Sequence, residues 1–488
     1  MYDKEMLNVA IKKYSETLKH PLTLAEEMRA GLERYYHPGK SRAGDVPLKP
    51  APPAKADNGK ETVGNEELDD VIEKCAKTLR AARKTKAACV GEMAFRLAEC
   101  YFHRALRSLE KKEIKKALRD FTEAIRLRPD YAEAYESRGL VYAYKGFLGE
   151  AKADLTKTIA LRPDFFEAYN FKGFIHTQLG NLDGALEDLA KAIALKSDYA
   201  DAYCNKGIIY GKLGDIDKAL EDFATAIALK SDFADAYVHR GHVYANRKSF
   251  DEAIADFTRA INIDPNHADA YNGRGRAYAE KEAFDEAIAD QSKAIALKSD
   301  FAVAYDNRAI AYGEKGMMDE ALADFTKAIE LTPNNERSYH NRGVAYEEIT
   351  ALDAAIADFT KAIMLKPDFA LAYSCRGRVY AGKGALDEAI ADYTKALALQ
   401  PDMVKAYYYR ARAYDQKARL DREKAFELDA AVVAEEDAGL SRLEKLGDGT
   451  ADGGAFVRAE ESAAPAWRGL CVIPFDHAES RKENLYDA

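Results

Sequence analysis

Three histidines are the side chains whose type and spacing come nearest to a metal site: His239, His242 and His267. His239 and His242 lie three residues apart, so they would share one face of a helix. A structural zinc site takes four ligands in a tetrahedral arrangement, and the sequence offers no clearly placed fourth ligand. We therefore interpret the three histidines as polar surface residues, and we predict neither a metal nor a cofactor.

Catalytic chemistry is not indicated by any other pattern. The sequence contains no phosphate-binding Walker loop, no GxSxG nucleophile elbow, no HExxH zinc pair and no dinucleotide-binding fingerprint. Its six cysteines form no CxxC pair, so we interpret them as reduced thiols that fill small apolar spaces. Together these observations predict that the protein is not an enzyme.

Opposite charges recur at fixed spacing along most of the chain. An Arg or Lys is followed sixteen residues later by an Asp, nine times at intervals of 34 residues. We predict that each pair joins two helices as an ion pair; the alternative is that both side chains face water, where a pair contributes at most about 1 kcal/mol. The basic members are Arg104, Arg138, Lys172, Lys206, Arg240, Arg274, Arg308, Arg342 and Arg376, and the acidic members are Asp120, Asp154, Asp188, Asp222, Asp256, Asp290, Asp324, Asp358 and Asp392.

The elements that carry these charges repeat with the same period. Each unit has a Tyr near its start, usually with a second Tyr seven residues later, and then an Ala that is followed four residues later by Phe, Leu or Tyr, except once. These residues recur at helical spacing in two stretches around a Gly-containing turn, which predicts a pair of helices in each unit. The units end at Pro129, Pro163, Ser197, Ser231, Pro265, Ser299, Pro333, Pro367 and Pro401.

The unit pattern, Y-x2-[RK]-G-x2-Y…A-x3-F-x2-A…P, resembles the tetratricopeptide repeat, W-x2-L-G-x2-Y…A-x3-F…P. It departs from that pattern in having Tyr for Trp and Arg or Lys for Leu. The resemblance covers residues 98–403 as nine units, and a tenth first helix follows from Val404 to Lys417. It implies an all-α fold: a right-handed α-solenoid, or superhelix, of about nine to ten 34-residue helix-turn-helix repeats with flanking helices and one concave surface.

Six segments are predicted along the chain. Residues 1–36 form an N-terminal helical segment, and residues 37–65, which hold five of the 14 Pro, form a flexible linker. Residues 66–97 supply a capping helix region, residues 98–403 the nine repeats, and residues 404–446 the tenth first helix and a C-terminal capping helix. Residues 447–488 form a disordered tail.

Composition and charge exclude several classes of protein. The chain is acidic, with 72 Lys plus Arg against 82 Asp plus Glu among 488 residues. Its apolar runs are far shorter than the roughly 18 residues that a membrane-spanning helix needs, and its start shows no secretory signal. We therefore predict a cytoplasmic protein without a transmembrane segment. Residues 74–128 differ from the rest, because they carry 16 basic and six acidic side chains.

The resemblance also implies where partners bind. In the tetratricopeptide repeat family, partners usually lie along the concave face, on fixed positions of the first helices. Carried over to this sequence, those positions predict a groove that binds a peptide. Its residues are Asn170, Phe174, Asn205, His239, His242, Asn272, Arg276, Asn307, Arg337, Asn341, Arg378 and Arg412.

The predicted function is a non-catalytic protein-protein interaction scaffold that binds peptide segments of partner proteins in this concave groove. Two alternatives stay open. One is a binder of anionic polymers, RNA or DNA, through the basic residues 74–128, and the other is a regulatory subunit of a separate enzyme. The acidic chain lacks a recognised nucleic-acid motif, which disfavours nucleic acid as a partner. The identity of the partner and the oligomeric state stay open as well.

Acidic residues also recur near the predicted start of each first helix. The Asp after each repeat-ending Pro or Ser, such as Asp130 or Asp164, is predicted to cap the next first helix. An acid three residues later, such as Glu133 or Asp235, would complete a capping box. The same acids would otherwise form an acidic stripe in the groove, so capping and partner binding compete as explanations.

Overall fold

A computed structural model describes residues 65–84 and 90–428 of the chain. All regular secondary structure in these two ranges is α-helical, as the sequence predicted. The chain divides into two compact units, Met1–Ser231 and Asp232–Ala488. The predicted N-terminal segment 1–36, all but the last residue of the linker 37–65, residues 429–446 and the tail 447–488 lie outside the described residues.

The first unit contains one preceding helix and four helix pairs within the described residues. Each pair is one repeat, made of a first helix and a second helix, and α2 with α3 forms repeat 1. Leu68, Ile72 and Leu79 of the preceding helix are buried in one cluster with Leu97 of repeat 1. The helices are α1 (Asn65–Lys84), α2 (Val90–Glu110), α3 (Ile114–Leu127), α4 (Ala132–Tyr144), α5 (Leu148–Leu161), α6 (Phe166–Gln178), α7 (Leu182–Leu195), α8 (Ala200–Leu213) and α9 (Ile216–Leu229).

The second unit contains repeats 5 to 9 and one further helix within the described residues. That helix, α20, is longer than the first helices before it and continues without a turn to the last described residue. The helices are α10 (Ala234–Asn246), α11 (Phe250–Ile263), α12 (Ala268–Glu280), α13 (Phe284–Leu297), α14 (Ala302–Glu314), α15 (Met318–Leu331), α16 (Glu336–Glu348), α17 (Leu352–Leu365), α18 (Ala370–Gly382), α19 (Leu386–Leu399) and α20 (Val404–Leu428).

The turn inside every repeat contains one residue with a positive φ. Glycine adopts this left-handed conformation without steric cost, whereas other residues are strained in it. Five of the nine turns use Gly, and four do not. The Gly residues are Gly146, Gly180, Gly214, Gly316 and Gly384, and the others are Lys112, Lys248, Glu282 and Thr350.

Replacement of Thr350 by glycine is expected to stabilise repeat 8, formed by α16 and α17. Thr350 has a φ of 58°, a conformation that is especially unfavourable for a β-branched residue. Because glycine also gains freedom in the unfolded chain, we expect a net gain of about 1 kcal/mol. The shift in the urea midpoint of unfolding measures it. The matched control is Gly384→Thr, at φ 78°, which should lose a similar amount; equal midpoints for the two variants would contradict the argument.

The two helices of a repeat pack closely because a small residue of the first helix faces a ring of the second. A Cβ atom built on Gly343 would lie 2.9 Å from Cε1 of Phe359, whose side chain is completely buried. A Cβ atom built on Gly377 would likewise lie 3.0 Å from Cε1 of Tyr393. The Gly of the repeat pattern therefore has a steric role, since a larger side chain would push the second helix away.

The predicted ladder of ion pairs is confirmed in all nine repeats. In repeat 8, Nε and Nη2 of Arg342 donate to the two carboxylate oxygens of Asp358 at 2.7 and 2.9 Å. Nη1 of Arg342 also donates to Oγ1 of Thr326 in the preceding repeat at 3.0 Å. Lys172 and Lys206 make one such carboxylate bond each. The Asp residues are buried, so the arrangement in which both charges face water does not occur.

The capping prediction is wrong for the first helices. The N-cap of α4 is Tyr131, which makes no side-chain capping bond, and Asp130 before it is exposed. The side chain of Tyr131 is buried in the core of the first unit, so packing determines the residue type at this position. Glu133 closes no capping box either; it pairs with Arg162 of the following turn at 2.9 Å. Glu133 therefore joins the first helix of repeat 2 to the end of the second helix of the same repeat.

Candidate functional site

First helices line the inner side of each unit. In the first unit α6 contacts α8, and in the second unit each first helix from α10 to α18 contacts the first helix that follows it. Contacts between successive second helices are sparse by comparison. First helices therefore lie closer together than second helices, so their free sides form the concave side. We call this side the inner face of a unit.

Side-chain amides connect neighbouring first helices behind the inner face. Nδ2 of Asn205 donates to Oδ1 of Asn170 at 2.9 Å, and Nδ2 of Asn170 lies 3.3 Å from the hydroxyl of Tyr199. In the second unit Nδ2 of Asn307 donates to Oδ1 of Asn272 at 3.0 Å. These hydrogen bonds join the first helices of consecutive repeats.

Four residues predicted to line the groove are buried: Asn170, Asn272, Asn307 and Asn341, the last with no exposed surface. A partner on the inner face does not reach them in this arrangement, so we leave them out of the contact surface. The sequence analysis missed that a first-helix residue lies beside the residue 35 positions later in the next repeat. The recurrence of Asn at 170 and 205, and again at 272 and 307, was the available signal.

The other eight predicted residues are accessible. Arg412 is exposed, and the remaining seven are partly buried: Phe174, Asn205, His239, His242, Arg276, Arg337 and Arg378. Arg378 is held by a two-point ion pair, since Nε and Nη2 donate to the carboxylate of Glu347 at 2.6 and 2.8 Å. Glu347, 31 residues earlier, is a partner that the sequence analysis did not identify. The structure thus holds Arg378 in a fixed position at the inner face.

The three histidines do not converge on one point. The ring of His242 packs edge-on against Phe257, with the ring centroids 5.0 Å apart. Nε2 of His267 lies 3.1 Å from Oδ1 of Asp235, and Nδ1 of His267 accepts the backbone N–H of Ala270. Burial opposes the charged form of both partners, but the bond between them outweighs it. That bond raises the pKa of His267, and together with the charge of His239 it lowers the pKa of Asp235.

Asp306 is a buried carboxylate in the second unit. Its side chain has no exposed surface, Oγ of Ser338 donates to its Oδ2 at 2.7 Å, and its Oδ1 has no hydrogen-bond partner among the described residues. Burial raises the pKa of Asp306 to about 7, and the nearby charge of Asp324 adds to that rise. A carboxyl group at this position therefore changes its charge near neutral pH.

The described residues contain four buried cysteines and no cluster of metal-binding side chains. Cys75, Cys100, Cys204 and Cys375 are buried and form no disulfide, and burial raises the pKa of Cys75 to about 11 and that of Cys100 to about 12. Such thiols are poor nucleophiles. No group of three or more His, Cys, Asp or Glu side chains in the described ranges is placed to hold a metal ion. In the same ranges, no helix combines the length and the apolar character needed to cross a membrane.

Sequence profiles of one repeat family match parts of both units and together cover more than half of the chain. A profile described as TPR repeat matches residues 107–146, 173–214, 241–282, 311–349 and 377–417. Profiles described as tetratricopeptide repeat match residues 200–233, 268–301 and 336–369. The chain belongs to the tetratricopeptide repeat family. No curated relative matches it over its sequence.

Several solved tetratricopeptide repeat structures are similar to parts of the chain. MamA is 28% identical, with 35% of this chain and 93% of MamA covered and a TM-score of 0.31. YrrB, described as having an unusual peptide-binding site, is 27% identical, with 38% and 96% covered and a TM-score of 0.32. A tetratricopeptide repeat protein from Parabacteroides merdae is 21% identical, with 51% and 98% covered and a TM-score of 0.42. This chain is longer than each of the three.

Membership of the family defines the general class of function. Tetratricopeptide repeats form protein-interaction scaffolds, and this chain is such a scaffold with protein partners. The repeat is typically non-catalytic. The fold by itself does not identify a partner, because different functions are built on the same repeat frame.

Proposed function

We propose that the inner face of the second unit binds a peptide segment of a partner protein and that the chain itself catalyses no reaction. The observation that supports this most directly is the distribution of accessible charges. Asp235 and Asp269 lie on α10 and α12, whereas Arg337 and Arg412 lie on α16 and α20, and all four side chains are at least partly exposed. A peptide with a basic part and an acidic part would therefore bind in one direction.

The rest of the inner face suits such a ligand. His239 and His242 lie at the acidic end, on α10 with Asp235, and Arg276 lies on α12 with Asp269. The buried pair of Asn272 and Asn307 holds the first helices in register behind this surface. Fixed side chains lose little freedom when a peptide binds, which favours affinity.

Charge reversal on the inner face is the test of this proposal. The full-length protein would be used to capture partners from a lysate of its source cells, next to the double variant Arg337→Glu with Arg412→Glu. The control is Arg259→Glu with Lys395→Glu, because these are exposed basic residues of the second helices α11 and α19. We expect a specific partner protein to be lost from the first variant and kept by the control. Equal capture by both variants would contradict the proposal. Recovery of nucleic acid alone, removable by nuclease, would point to the basic residues 74–128 instead.

A further inference from the structure

The helix α20 exposes a surface that is covered in the repeats before it. In repeat 9 the first-helix residue Gly377 is buried under Tyr393 of the second helix. The equivalent residue of α20, 34 positions later, is Ala411, and it is exposed. Tyr407 and Tyr414 on either side of it are 49% and 52% exposed. Within the described residues, no second helix packs over this side of α20.

The hydrogen bonds of Arg410 also differ from those of the equivalent arginine in repeat 9. The equivalent Arg376 donates to both oxygens of Asp392 on the second helix of its repeat. Arg410 bonds Oγ1 of Thr394 at 3.3 Å and stacks over Tyr407, 5.5 Å from the ring centroid. No carboxylate of the described residues takes the place that Asp392 has in repeat 9. This surface of α20 therefore has the size, shape and charge that elsewhere in the chain receive an antiparallel helix.

The exposed surface extends along the whole of α20 with a heptad spacing. Intervals of three and four residues alternate along it, which is the pattern of a helix that packs against another helix over its full length. Ala406 and Ala413, which pack toward α19, lie on the other side of α20. We call the exposed residues the α20 seam: Val404, Tyr407, Ala411, Tyr414, Ala418, Asp421, Ala425 and Leu428.

We propose that two copies of this chain associate through the α20 seam, with their α20 helices antiparallel. In the register centred on residue 416, each tyrosine of the seam faces an alanine of the other copy: Tyr407 faces Ala425, and Tyr414 faces Ala418. Val404 faces Leu428 at both ends, where the two side chains are each 78% exposed in the single chain. Large-against-small layers of this kind fill the space between two helices evenly.

Charge and size agree with the same register. Asp421 faces Ala411 of the other copy and so lies next to Arg410, supplying the carboxylate that Arg410 lacks among the described residues. Lys417 lies near the two-fold axis, and its charge is compensated by the ion pair with Asp387. The 25 residues of α20 span about 37 Å, and two such helices bury an area in the range of small specific interfaces, roughly 1,200 Å² in total.

Outside the described residues the sequence offers one match to a second helix, and the charge of that match does not suit this surface. The second helices of the repeats, except the one with Gln291, carry an Ala followed four residues later by Phe, Leu or Tyr, as in Ala389 and Tyr393, and then by Ala or Thr three residues after that. Residues 429–488 do not contain this pattern, whereas Ala10, Tyr14 and Thr17 match it once. That match has Lys13 where the second helices have an Asp, such as Asp392, so it offers no carboxylate to Arg410, whereas a second copy of α20 offers Asp421. We therefore assign a second copy as the occupant.

The oligomeric state of the full-length protein in solution tests this proposal. Sedimentation equilibrium should give a dimer, and Ala418→Glu should weaken its association by about 100-fold or more, because it places a charge in the seam. The control Gln416→Glu adds the same charge two residues away on the side opposite the seam and should leave the dimer intact. A monomer at all concentrations would overturn the proposal. If Ala418→Glu, but not Gln416→Glu, also destabilised that monomer, a segment of the same chain would be the occupant.

Cross-linking distinguishes the antiparallel arrangement from a parallel one. The background variant replaces Cys89 and Cys471 by Ser, since the other four cysteines are buried. In this background Asp415→Cys, next to the two-fold axis, should form dimers with a short bis-maleimide. Tyr407→Cys should not, because the two copies of residue 407 would be about 27 Å apart along the helices. Efficient cross-linking of Tyr407→Cys would overturn the antiparallel register.

Discussion

Replacement of Arg342 by alanine is expected to destabilise repeat 8 by about 3 kcal/mol, since removing one partner of a buried ion pair leaves the other charge uncompensated. Asp358 is only 6% exposed, and both of its oxygens accept hydrogen bonds from Arg342. The same substitution removes the bond to Thr326 in the preceding repeat. The effect should therefore reach α15 as well as α16 and α17.

Hydrogen exchange measured peptide by peptide in the full-length protein is the suitable readout, because it reports the local stability of each helix separately. Faster exchange in α15 to α17, with little change in α11, is the expected result. The control is Arg342→Lys, which keeps the charge and one carboxylate bond, as Lys172 and Lys206 do naturally. This variant should lose about 1 kcal/mol. Equal exchange rates in the Ala and Lys variants would show that the ion pair with Asp358 contributes nothing to the stability of repeat 8.

Replacement of Asp306 by asparagine is expected to stabilise the second unit at neutral and alkaline pH. The pKa of Asp306 is raised to about 7 in the folded protein, from 3.8 without the fold. This change in pKa corresponds to a free-energy penalty of at most roughly 4 kcal/mol for the charged carboxylate in the folded protein. Asparagine removes the charge, keeps an acceptor for Ser338, and occurs naturally at the equivalent positions 170 and 272.

The stability gained by Asp306→Asn should increase with pH. A carboxyl group whose folded pKa is raised destabilises the protein as pH rises from about 4 to about 7, and the penalty is constant above that range. The advantage of Asp306→Asn should therefore be small at pH 4.5, grow through pH 6, and level off above pH 7. Urea unfolding followed at several pH values measures it. Asp368→Asn, at an exposed position, should show no such trend. If Asp306→Asn stabilised the protein equally at all pH values, the difference in stability would come from packing and not from charge.

Sequence spacing predicted the features that depend on contacts inside one repeat. Gly343 and Phe359, like Arg342 and Asp358, lie sixteen residues apart, and the turn between their helices leaves one way to bring them together. Repetition of the same spacing nine times made the helix pairs and the ion-pair ladder predictable. Capping was predicted wrongly at Asp130, because the neighbouring Tyr131 is needed in the core and takes the N-cap position.

Contacts between repeats were not predictable in the same way. Asn272 and Asn307 were expected on the groove surface, but they are buried against each other across two first helices. Asp306 is buried by the same stacking, which raises its pKa, and Ser338 of the next repeat donates a hydrogen bond to it. The 34-residue pattern specifies which residues each repeat contains, since helix periodicity and turn chemistry act locally. The angle and offset between successive repeats depend instead on how whole helices pack against each other. They determine which polar side chains are buried and which form ion pairs between repeats, as Arg378 does with Glu347. They also determine which side chains remain accessible to a partner.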